Sequence, residues 1–296
     1  MPALPPRGRR AFTLVELLVC LAVIGLLVGL TAAAVQRARA SAERTRCLNQ
    51  LRQIATALHH YHGAHGKLPA GTSGPSDAMP FVAWQARTLP FLEQAAAWAD
   101  TVAAFKADKN FLKPPHRWLS EPMPAFACPS DSRTKDAAPM PSGAKRGLTS
   151  YLGVEGVNTF RRDGMLYLES AVRLADVRDG TSNTLLAGER PPSANGVLGW
   201  WYAGWGMEQT GSGDAVLGVR AKNLGNYSPD CATGPYHFRG RTVTDPCAAF
   251  AFWSLHGGGA HFAFADGSVR FLRYTADDVL PALATRAGGE TEGIPD

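Results

Sequence analysis

The sequence predicts an α+β protein in which one long N-terminal α-helix packs on the antiparallel β-sheet of a C-terminal head. Residues 17–35 form an uncharged apolar run of 19 residues, close to the length of a helix that crosses a membrane. An apolar stripe with helical spacing continues to about residue 61. Beyond residue 67, glycine, proline and Asp-Gly pairs separate short alternating segments that are typical of strands. We therefore expect the first half of the helix in the membrane and the second half on the head.

The composition indicates a folded chain and no nucleic-acid partner. Of the 296 residues, 45% are hydrophobic and 19% are charged, as in ordinary globular proteins. The formal net charge is +5, but three of the positive charges are Arg7, Arg9 and Arg10, which precede the apolar run. No Lys/Arg stripe with interleaved aromatic residues occurs elsewhere, so we expect no binding of nucleic acid.

The apolar run has three interpretations. Its basic start and the candidate cleavage site at residues 32–34 suit a secretory signal peptide, but 19 residues exceed the usual core of about 7–15. A plain membrane anchor explains the length and leaves Glu16 unexplained, since a carboxylate at the membrane centre costs roughly 2.5 kcal/mol or more. Glu16 therefore requires a partner, which the third interpretation supplies.

The stretch AFTLVELL at residues 11–18 resembles the processing site of type IV prepilins and pseudopilins. The resemblance implies that a prepilin peptidase removes the leader, residues 1–11, by cutting after Ala11, and that Phe12 becomes an N-methylated first residue. Glycine stands before the cut more often than alanine in that family. The resemblance also implies that Glu16 pairs with the Phe12 amine of a neighbouring subunit during filament assembly, which lowers the desolvation cost of both charges.

Charge alone does not fix the orientation of the membrane segment. Arginines stand on both sides of the apolar run, three before it and four at positions 37, 39, 44 and 46, so the positive-inside rule is not decisive. The prepilin resemblance implies a single-pass protein of the cytoplasmic membrane, with its N-terminus inside and its head extracytoplasmic, or on a cell-surface filament. Residues 12–36 are then the transmembrane and assembly helix.

The helix is expected to continue through residues 37–66, outside the membrane. Neither proline nor glycine interrupts residues 30–62, and apolar residues recur at three- and four-residue spacing at Leu48, Leu51, Ile54, Ala55, Leu58 and Tyr61. Gly63 and Gly66 are predicted to end the helix. Four histidines stand near this end, but no acidic residue or cysteine is close to them in sequence, so no metal site is predicted there.

A β-hairpin is predicted near the C-terminus, within residues 256–272. The segments HFAFA and SVRFL alternate on either side of Asp266-Gly267, a strong signal for a two-residue turn. Such a turn would bring four apolar residues onto one face. The expected pairs are Phe264 opposite Val269 and Phe262 opposite Phe271. We expect the N-terminal helix or a neighbouring strand to cover this face.

The hairpin belongs to a set of motifs that resembles a known family. His256 stands ten residues before Asp266-Gly267, which gives an H-x9-D-G motif. This motif follows CLNQLRQIATALHHYH, LPFLEQ, CPSD and DGTSNTLLAGE in order, and it precedes LATRAGGE. Each motif alone is weak, but in this order they resemble the planctomycete-type family of prepilin-like proteins known as DUF1559. The resemblance covers residues 12 to about 290 and implies that residues 67–296 form an extracytoplasmic, β-rich head.

No catalytic residue, metal site or cofactor is predicted, and the chain is not expected to be an enzyme. HGGGAH lacks the Gly-Lys-Ser/Thr of a phosphate loop, and the G-x-S-x-G motif is absent. Four acidic residues of the head are candidates for binding calcium: Asp131, Asp179, Glu189 and Asp266. They lack the spacing of an EF-hand, and we interpret them as turn residues, because Asp-Gly pairs are typical of turns.

Cys231 and Cys247 are predicted to form a disulfide in the exported head. They enclose 15 residues, and closing such a loop stabilises a fold by roughly 3 kcal/mol in the chain-entropy account. Cys47 and Cys128 are a second candidate pair, and Cys20 lies inside the apolar run. No C-x-x-C pair occurs, so neither a zinc ribbon nor a thioredoxin-like motif is predicted.

Two functions remain open at this point. The first is a pilin-like, pseudopilin-class structural subunit that assembles with copies of itself or with other pilin-like subunits into a filament or a secretion pseudopilus. The alternative is a membrane-anchored, extracytoplasmic protein that binds a polysaccharide or another ligand and does not assemble. An aromatic cluster suits stacking on sugars, but such residues also form cores: Trp200, Trp201, Tyr202 and Trp205. A subunit should crosslink to copies of itself, whereas a binding protein should remain monomeric.

Overall fold

The computed structural model describes residues 13–140, 143–225 and 227–290, without the side chain of Ala33. The chain divides into two compact units, residues 1–43 and 44–296. The N-terminal helix α1 (Leu14–His65) is continuous over 52 residues. Its first part therefore belongs to the first unit and its last part to the second unit, the head.

Helix α1 ends where a left-handed glycine follows it. Gly66 has a φ of +72°, and its N–H donates to the carbonyl of His62 at 2.7 Å, which caps the last turn. The prediction that Gly63 shares in ending the helix is wrong, because α1 continues through it to His65. A glycine inside a helix costs only about 1 kcal/mol, which the packing of the helix on the head outweighs.

The other helices and the strands are short. The helices are α2 (Trp84–Thr88), α3 (Ala95–Ala107) and α4 (Leu280–Ala284). Single 3₁₀ turns lie at Leu89–Leu92, Arg117–Leu119, Pro124–Phe126, Ser132–Thr134, Leu174–Asp176, Pro246–Phe250 and Tyr274–Ala276. The strands are β1 (Ala138–Pro139), β2 (Lys145–Arg146), β3 (Tyr151–Gly156), β4 (Leu185–Glu189), β5 (Val216–Gly218), β6 (Gly259–Phe264) and β7 (Val269–Arg273).

The central sheet of the head has the strand order β5-β3-β4-β6-β7. The pairs β3–β4, β4–β6 and β6–β7 are antiparallel, and β3–β5 is parallel. The long connection between β3 and β5 allows this parallel pair, because the chain crosses back before it pairs. Strands β1 and β2 form a separate antiparallel pair. The predicted α+β class with a long N-terminal helix is confirmed, and the sheet is mixed with an antiparallel majority.

Both faces of the central sheet are covered by apolar side chains. On one face, the buried stripe of α1 from Leu51 to Leu58 packs in the same cluster as Trp84, Ala263 and Ala265. On the other face, the phenylalanines of β6 form a second cluster with Leu280 and Leu283 of α4. The head therefore has a helix-covered face and a face covered by its C-terminal segment.

The C-terminal hairpin is present, but its register differs from the prediction by one residue. Its loop has three residues instead of two: the Phe264 N–H donates to the Ser268 carbonyl at 2.9 Å, and the Gly267 N–H donates to the Phe264 carbonyl at 2.9 Å. Gly267 has a φ of +85°, as expected for a type I turn followed by a left-handed bulge residue. The facing pairs are Ala263 with Val269, Phe262 with Arg270, and His261 with Phe271.

This shift turns every side chain of β7 to the opposite face of the sheet. The predicted alignment of four apolar residues on one face is therefore wrong. The phenylalanines of β6 pack with Leu272, while Val269 packs on the face that α1 covers. Phe271 lies beside His261, with ring centroids 5.1 Å apart, and the guanidinium carbon of Arg44 is 3.6 Å from its centroid.

Candidate functional site

The N-terminal end of α1 carries a capping box built from Thr13 and Glu16. Thr13 donates its backbone N–H and its hydroxyl to Oε2 of Glu16, at 2.9 and 2.8 Å. In return, the Glu16 N–H donates to Thr13 Oγ1 at 3.3 Å. Sequence reasoning missed this partner, although Thr-x-x-Glu before an apolar run is a recognisable signal for such a cap. Glu16 thus has a hydrogen-bonding role within its own chain.

The first unit exposes its apolar side chains to the surroundings. Large apolar residues from Leu14 to Val35 keep between 47% and 74% of their surface exposed. By length and composition, the helix is able to cross a membrane. Continuous apolar exposure of this kind suits lipid, because a helix satisfies its own backbone hydrogen bonds there. The expected processing residues Ala11 and Phe12 lie outside the described residues.

Two disulfides are present in the head. The first joins Cys231 to Cys247, with Cα atoms 5.6 Å apart, and the second joins Cys47 to Cys128, with Cα atoms 5.5 Å apart. The second bridge links α1 to the segment that follows the 3₁₀ turn Pro124–Phe126. Cys20, in the first unit, is free and exposed. Both candidate pairs are therefore bridged, and one thiol remains.

A buried cluster surrounds the Cys47–Cys128 disulfide. It adds Glu189, the last residue of β4, and His256, which lies just before β6. The two sulfurs, a carboxylate oxygen and an imidazole nitrogen all lie within 4.8 Å of one another, and all four residues are buried. The four residues belong to four of the sequence motifs: CLNQLRQIATALHHYH, CPSD, DGTSNTLLAGE and H-x9-D-G.

Glu189 is the centre of this cluster. Its Oε2 accepts a hydrogen bond from the His261 backbone N–H at 2.6 Å and lies 3.1 Å from Nδ1 of the same histidine. Its Oε1 lies 3.5 Å from Nε2 of His256 and has no hydrogen-bond partner among the described residues. Nε2 of His256 is in turn 3.7 Å from the sulfur of Cys128. The disulfide, His256, Glu189 and His261 are therefore in contact as one buried row.

Neighbouring hydroxyl groups hold the backbone of this cluster. Because the hydrogen bonds reach main-chain atoms, they position the cluster residues without occupying their functional side-chain atoms. Ser254 Oγ accepts from the His256 N–H at 3.0 Å, Ser150 Oγ accepts from the Cys128 N–H at 3.0 Å, and the Tyr151 hydroxyl donates to the Cys47 carbonyl at 3.3 Å.

The residues of the H-x9-D-G motif lie on either side of strand β6. His256 is in the buried cluster, whereas Asp266 and Gly267 form the hairpin loop. Oδ1 of Asp266 accepts the Ser268 N–H at 2.8 Å, and the Asp266 N–H donates to the Thr181 carbonyl at 3.0 Å. The aspartate and glycine therefore shape a turn, and the histidine is the motif residue that reaches the cluster.

Two other acidic calcium candidates, Asp131 and Asp179, accept hydrogen bonds from groups of the head itself. Asp131 accepts the Arg133 N–H at 3.1 Å and pairs with its guanidinium at 2.6 Å. Asp179 accepts the N–H groups of Gly288 and Gly289 at 2.7 and 2.9 Å. Asp131 therefore stabilises its own turn, whereas Asp179 ties its loop to the C-terminal segment at Gly288 and Gly289.

The aromatic cluster of the head is mostly core. Trp200, Trp201 and Tyr202 expose 4%, 0% and 1% of their surface, and only Trp205, at 36%, reaches solvent to a substantial extent. The indole N–H of Trp201 donates to the carbonyl of Glu121 at 2.8 Å. The three buried rings are core residues and are not accessible to a sugar.

Two family models match the chain. Residues 6–32 match the prokaryotic N-terminal methylation motif, which points to prepilin-type processing and to membrane anchoring. Residues 36–279 match the family described as protein of unknown function (DUF1559), and because this match covers most of the chain, the protein belongs to the DUF1559 family. Both resemblances are thereby confirmed. No curated protein and no solved structure matches the chain.

Proposed function

We propose that the chain is a type IV pilin-like structural subunit of the pseudopilin class, without catalytic activity. A prepilin peptidase cuts it between Ala11 and Phe12, Phe12 is N-methylated, and α1 anchors it in the cytoplasmic membrane with its head outside. Mature subunits then assemble, with copies of themselves or with other pilin-like subunits, into a filament or a secretion pseudopilus. The methylation motif at residues 6–32 and the exposed apolar helix support this proposal.

The position of Glu16 carries the proposal. It stands in the first turn of α1, and the next charged residue along the chain is Arg37. Both hydrogen bonds from Thr13 end on Oε2. A carboxylate has acceptor capacity on two oxygens, so the cap leaves Oε1 for the cationic Phe12 amine of a neighbouring subunit. Capping and assembly are therefore compatible roles for one side chain.

Pairing of Glu16 between subunits would have two effects. It would lower the cost of placing the charges in lipid, and it would fix the axial offset between neighbouring helices. A charge in lipid is costly, and opposite charges reduce that cost for each other only when they meet. The Phe12 amine and the Glu16 carboxylate meet only if neighbouring helices are packed at one axial offset, so the pair selects the correct arrangement of subunits.

Intact-mass analysis and N-terminal sequencing of the membrane-extracted protein test the processing step. We expect a mature chain of residues 12–296 with a methyl group on Phe12. Ala11→Leu should retain the leader, because the peptidase requires a small residue before the cut. Ala3→Leu makes the same change elsewhere in the leader and should mature normally. A mature N-terminus near Val35 would indicate an ordinary signal peptide and contradict the proposal.

Cys20 offers a native probe of assembly. It is the free cysteine of the chain, since the other four are bridged, and it is exposed on α1. A bismaleimide crosslinker applied to membranes without reductant should give dimers and higher multimers, and Cys20→Ala should give none. If the wild-type protein stays monomeric under conditions in which Cys20 is modified, the alternative of a membrane-anchored binding protein that does not assemble is favoured.

A further inference from the structure

We propose that Cys47, Cys128, Glu189 and His256 bind one zinc ion when the Cys47–Cys128 disulfide is reduced. The reduced site offers two thiolates, one imidazole nitrogen and one carboxylate oxygen. Each of these is a ligand type that zinc binds in proteins, and four such ligands complete a tetrahedral site. Two thiolates also favour zinc over magnesium or calcium, which prefer oxygen ligands.

The separations between donor atoms fit a tetrahedral ion. With bonds of roughly 2.0–2.3 Å to zinc, the ligand atoms of a tetrahedral site lie roughly 3.3–3.8 Å apart. Nε2 of His256 is already 3.5 Å from Oε1 of Glu189 and 3.7 Å from the sulfur of Cys128. The two sulfurs are closer only because they are bonded to each other, and reduction frees them to separate.

A second, independent observation points to a cation at this place. Glu189 is 2% exposed, and its Oε1 has no hydrogen-bond partner in the described part of the chain. A buried carboxylate oxygen without a partner is unfavourable. A cation between this oxygen and the His256 imidazole supplies the missing interaction. His261 holds the other oxygen, as hydrogen bonds to ligating carboxylates do in metal sites.

Cys128, the less buried half of the disulfide, borders a surface cavity. A surface cavity of about 310 Å³ is lined by Cys128 together with Gln50, Pro124 and Pro129. Cys128 keeps 5% of its surface exposed, whereas Cys47 is fully buried. We therefore expect a small thiol to reach the bridge from the Cys128 side and the metal ion to enter from the same side.

The redox step balances with a dithiol as the reductant. One thiolate of the dithiol attacks the sulfur of Cys128, the Cys47–Cys128 bond breaks, and Cys47 leaves as a thiolate. The second thiol of the reductant then displaces Cys128, so the reductant leaves as its own disulfide after giving two electrons. Binding of Zn²⁺ to the resulting dithiol releases the two thiol protons.

Cobalt binding to the full chain in detergent tests the proposal, because Co²⁺ is a coloured substitute for Zn²⁺. After reduction with a phosphine, the wild-type protein should bind one Co²⁺ per chain, with thiolate-to-cobalt charge transfer and the intense visible bands of tetrahedral cobalt. Zinc should displace it, and the oxidised protein should show neither band. A reduced, folded protein that shows no thiolate–cobalt band overturns the proposal, as does loss of the fold on reduction in the presence of zinc.

Matched cysteine variants test whether the thiolate–cobalt band comes from Cys47 and Cys128. Cys47→Ser/Cys128→Ser should abolish it, whereas Cys231→Ser/Cys247→Ser, which removes the other disulfide, should retain one cobalt per chain. Cys20→Ala should also retain it. A band that persists in Cys47→Ser/Cys128→Ser, or that disappears in a folded Cys231→Ser/Cys247→Ser protein, places the metal elsewhere and overturns the assignment.

Alkylation mapping gives a readout that needs no substitution. In the reduced wild-type protein, zinc should slow alkylation of Cys47 and Cys128 and leave the rate at Cys231 and Cys247 unchanged. Equal rates with and without zinc at all four cysteines overturn the proposal. Glu189→Gln should weaken zinc binding by about 10-fold or more, because a neutral amide oxygen is a poorer zinc ligand than a carboxylate. Unchanged affinity in a folded Glu189→Gln protein would contradict the assignment of Glu189 as a ligand.

Discussion

Nε2 of His256 lies 3.5 Å from Oε1 of Glu189, and both side chains are buried in the head. The contact joins two motifs that are far apart in sequence. Strand β6 connects the two parts of H-x9-D-G, His256 and the Asp266-Gly267 loop. The hairpin loop at Asp266 fixes the register of β6, and β6 carries His261, which holds Glu189 in place.

Glu189→Gln should lower the free energy of unfolding by about 1–3 kcal/mol, because it weakens the bonds from His261 and buries amide donors without partners. Chemical denaturation of the full chain in detergent measures the change. Glu121→Gln makes the same substitution at an exposed position and should stay within about 0.5 kcal/mol of the wild type. Equal effects of the two substitutions would show that the buried cluster contributes little to stability.

Gly267→Val should destabilise the head by more than about 1 kcal/mol. A β-branched residue is strained at a φ of +85°, and its Cβ would lie 3.3 Å from Nε2 of His59. Asp266→Asn is the control and should be mild, because the asparagine oxygen still accepts the Ser268 N–H. Thermal unfolding of both variants tests this. If Asp266→Asn removed calcium binding and left stability unchanged, the structural role of the loop would be wrong.

Two substitutions of Glu16 distinguish the role of its charge from its role in the capping box. Glu16→Gln keeps an oxygen for the capping box and removes the charge, whereas Glu16→Val removes both. Both variants should insert and lose their leader, since neither makes the helix a poorer membrane segment. Both should lose crosslinking through Cys20, because the Phe12 amine has no counter-charge. Normal crosslinking by Glu16→Gln together with failure of Glu16→Val would assign the effect to the cap.

The free energy of unfolding of the head should fall as the pH rises, because the buried carboxyl of Glu155 ionises. Burial raises the pKa of Glu155 from 4.5 to about 6, although hydrogen bonds from Thr159 and Ser212 oppose the shift. The folded state thus binds this proton more tightly than the unfolded state does. Its contribution to stability is fully present below pH 4.5 and is lost as the pH rises through about 6. The loss amounts to about 2 kcal/mol.

Glu155→Gln tests this pH dependence, because the glutamine oxygen still accepts from both hydroxyls and does not ionise. Between about pH 4 and pH 7, the wild type should lose about 2 kcal/mol more of its unfolding free energy than the variant does. Glu121→Gln should follow the wild-type curve. If the wild type and Glu155→Gln showed the same slope, the buried carboxyl would not titrate in this range.

The hairpin shows where sequence reasoning reaches its limit. Alternation on both sides of Asp266-Gly267 correctly indicates two strands and a turn. It does not distinguish a two-residue turn from a three-residue loop with a bulge, because both place a glycine at positive φ. That single residue decided which face of the sheet Phe271 and Val269 occupy.

The sequence by itself determined the features that depend on neighbouring residues: the long helix, its apolar first half, the processing stretch around Glu16 and the hairpin near Asp266. These are local, because periodicity, charge and turn chemistry act within a few residues. The sequence also indicated Cys47 and Cys128 as a candidate pair, but only the tertiary structure decided that Glu189 and His256 meet this disulfide. Their segments are distant along the chain, and they meet because α1 packs on the sheet and β4 pairs with β6 beneath it. No spacing of residues encodes such a contact, since it depends on the packing of the whole head.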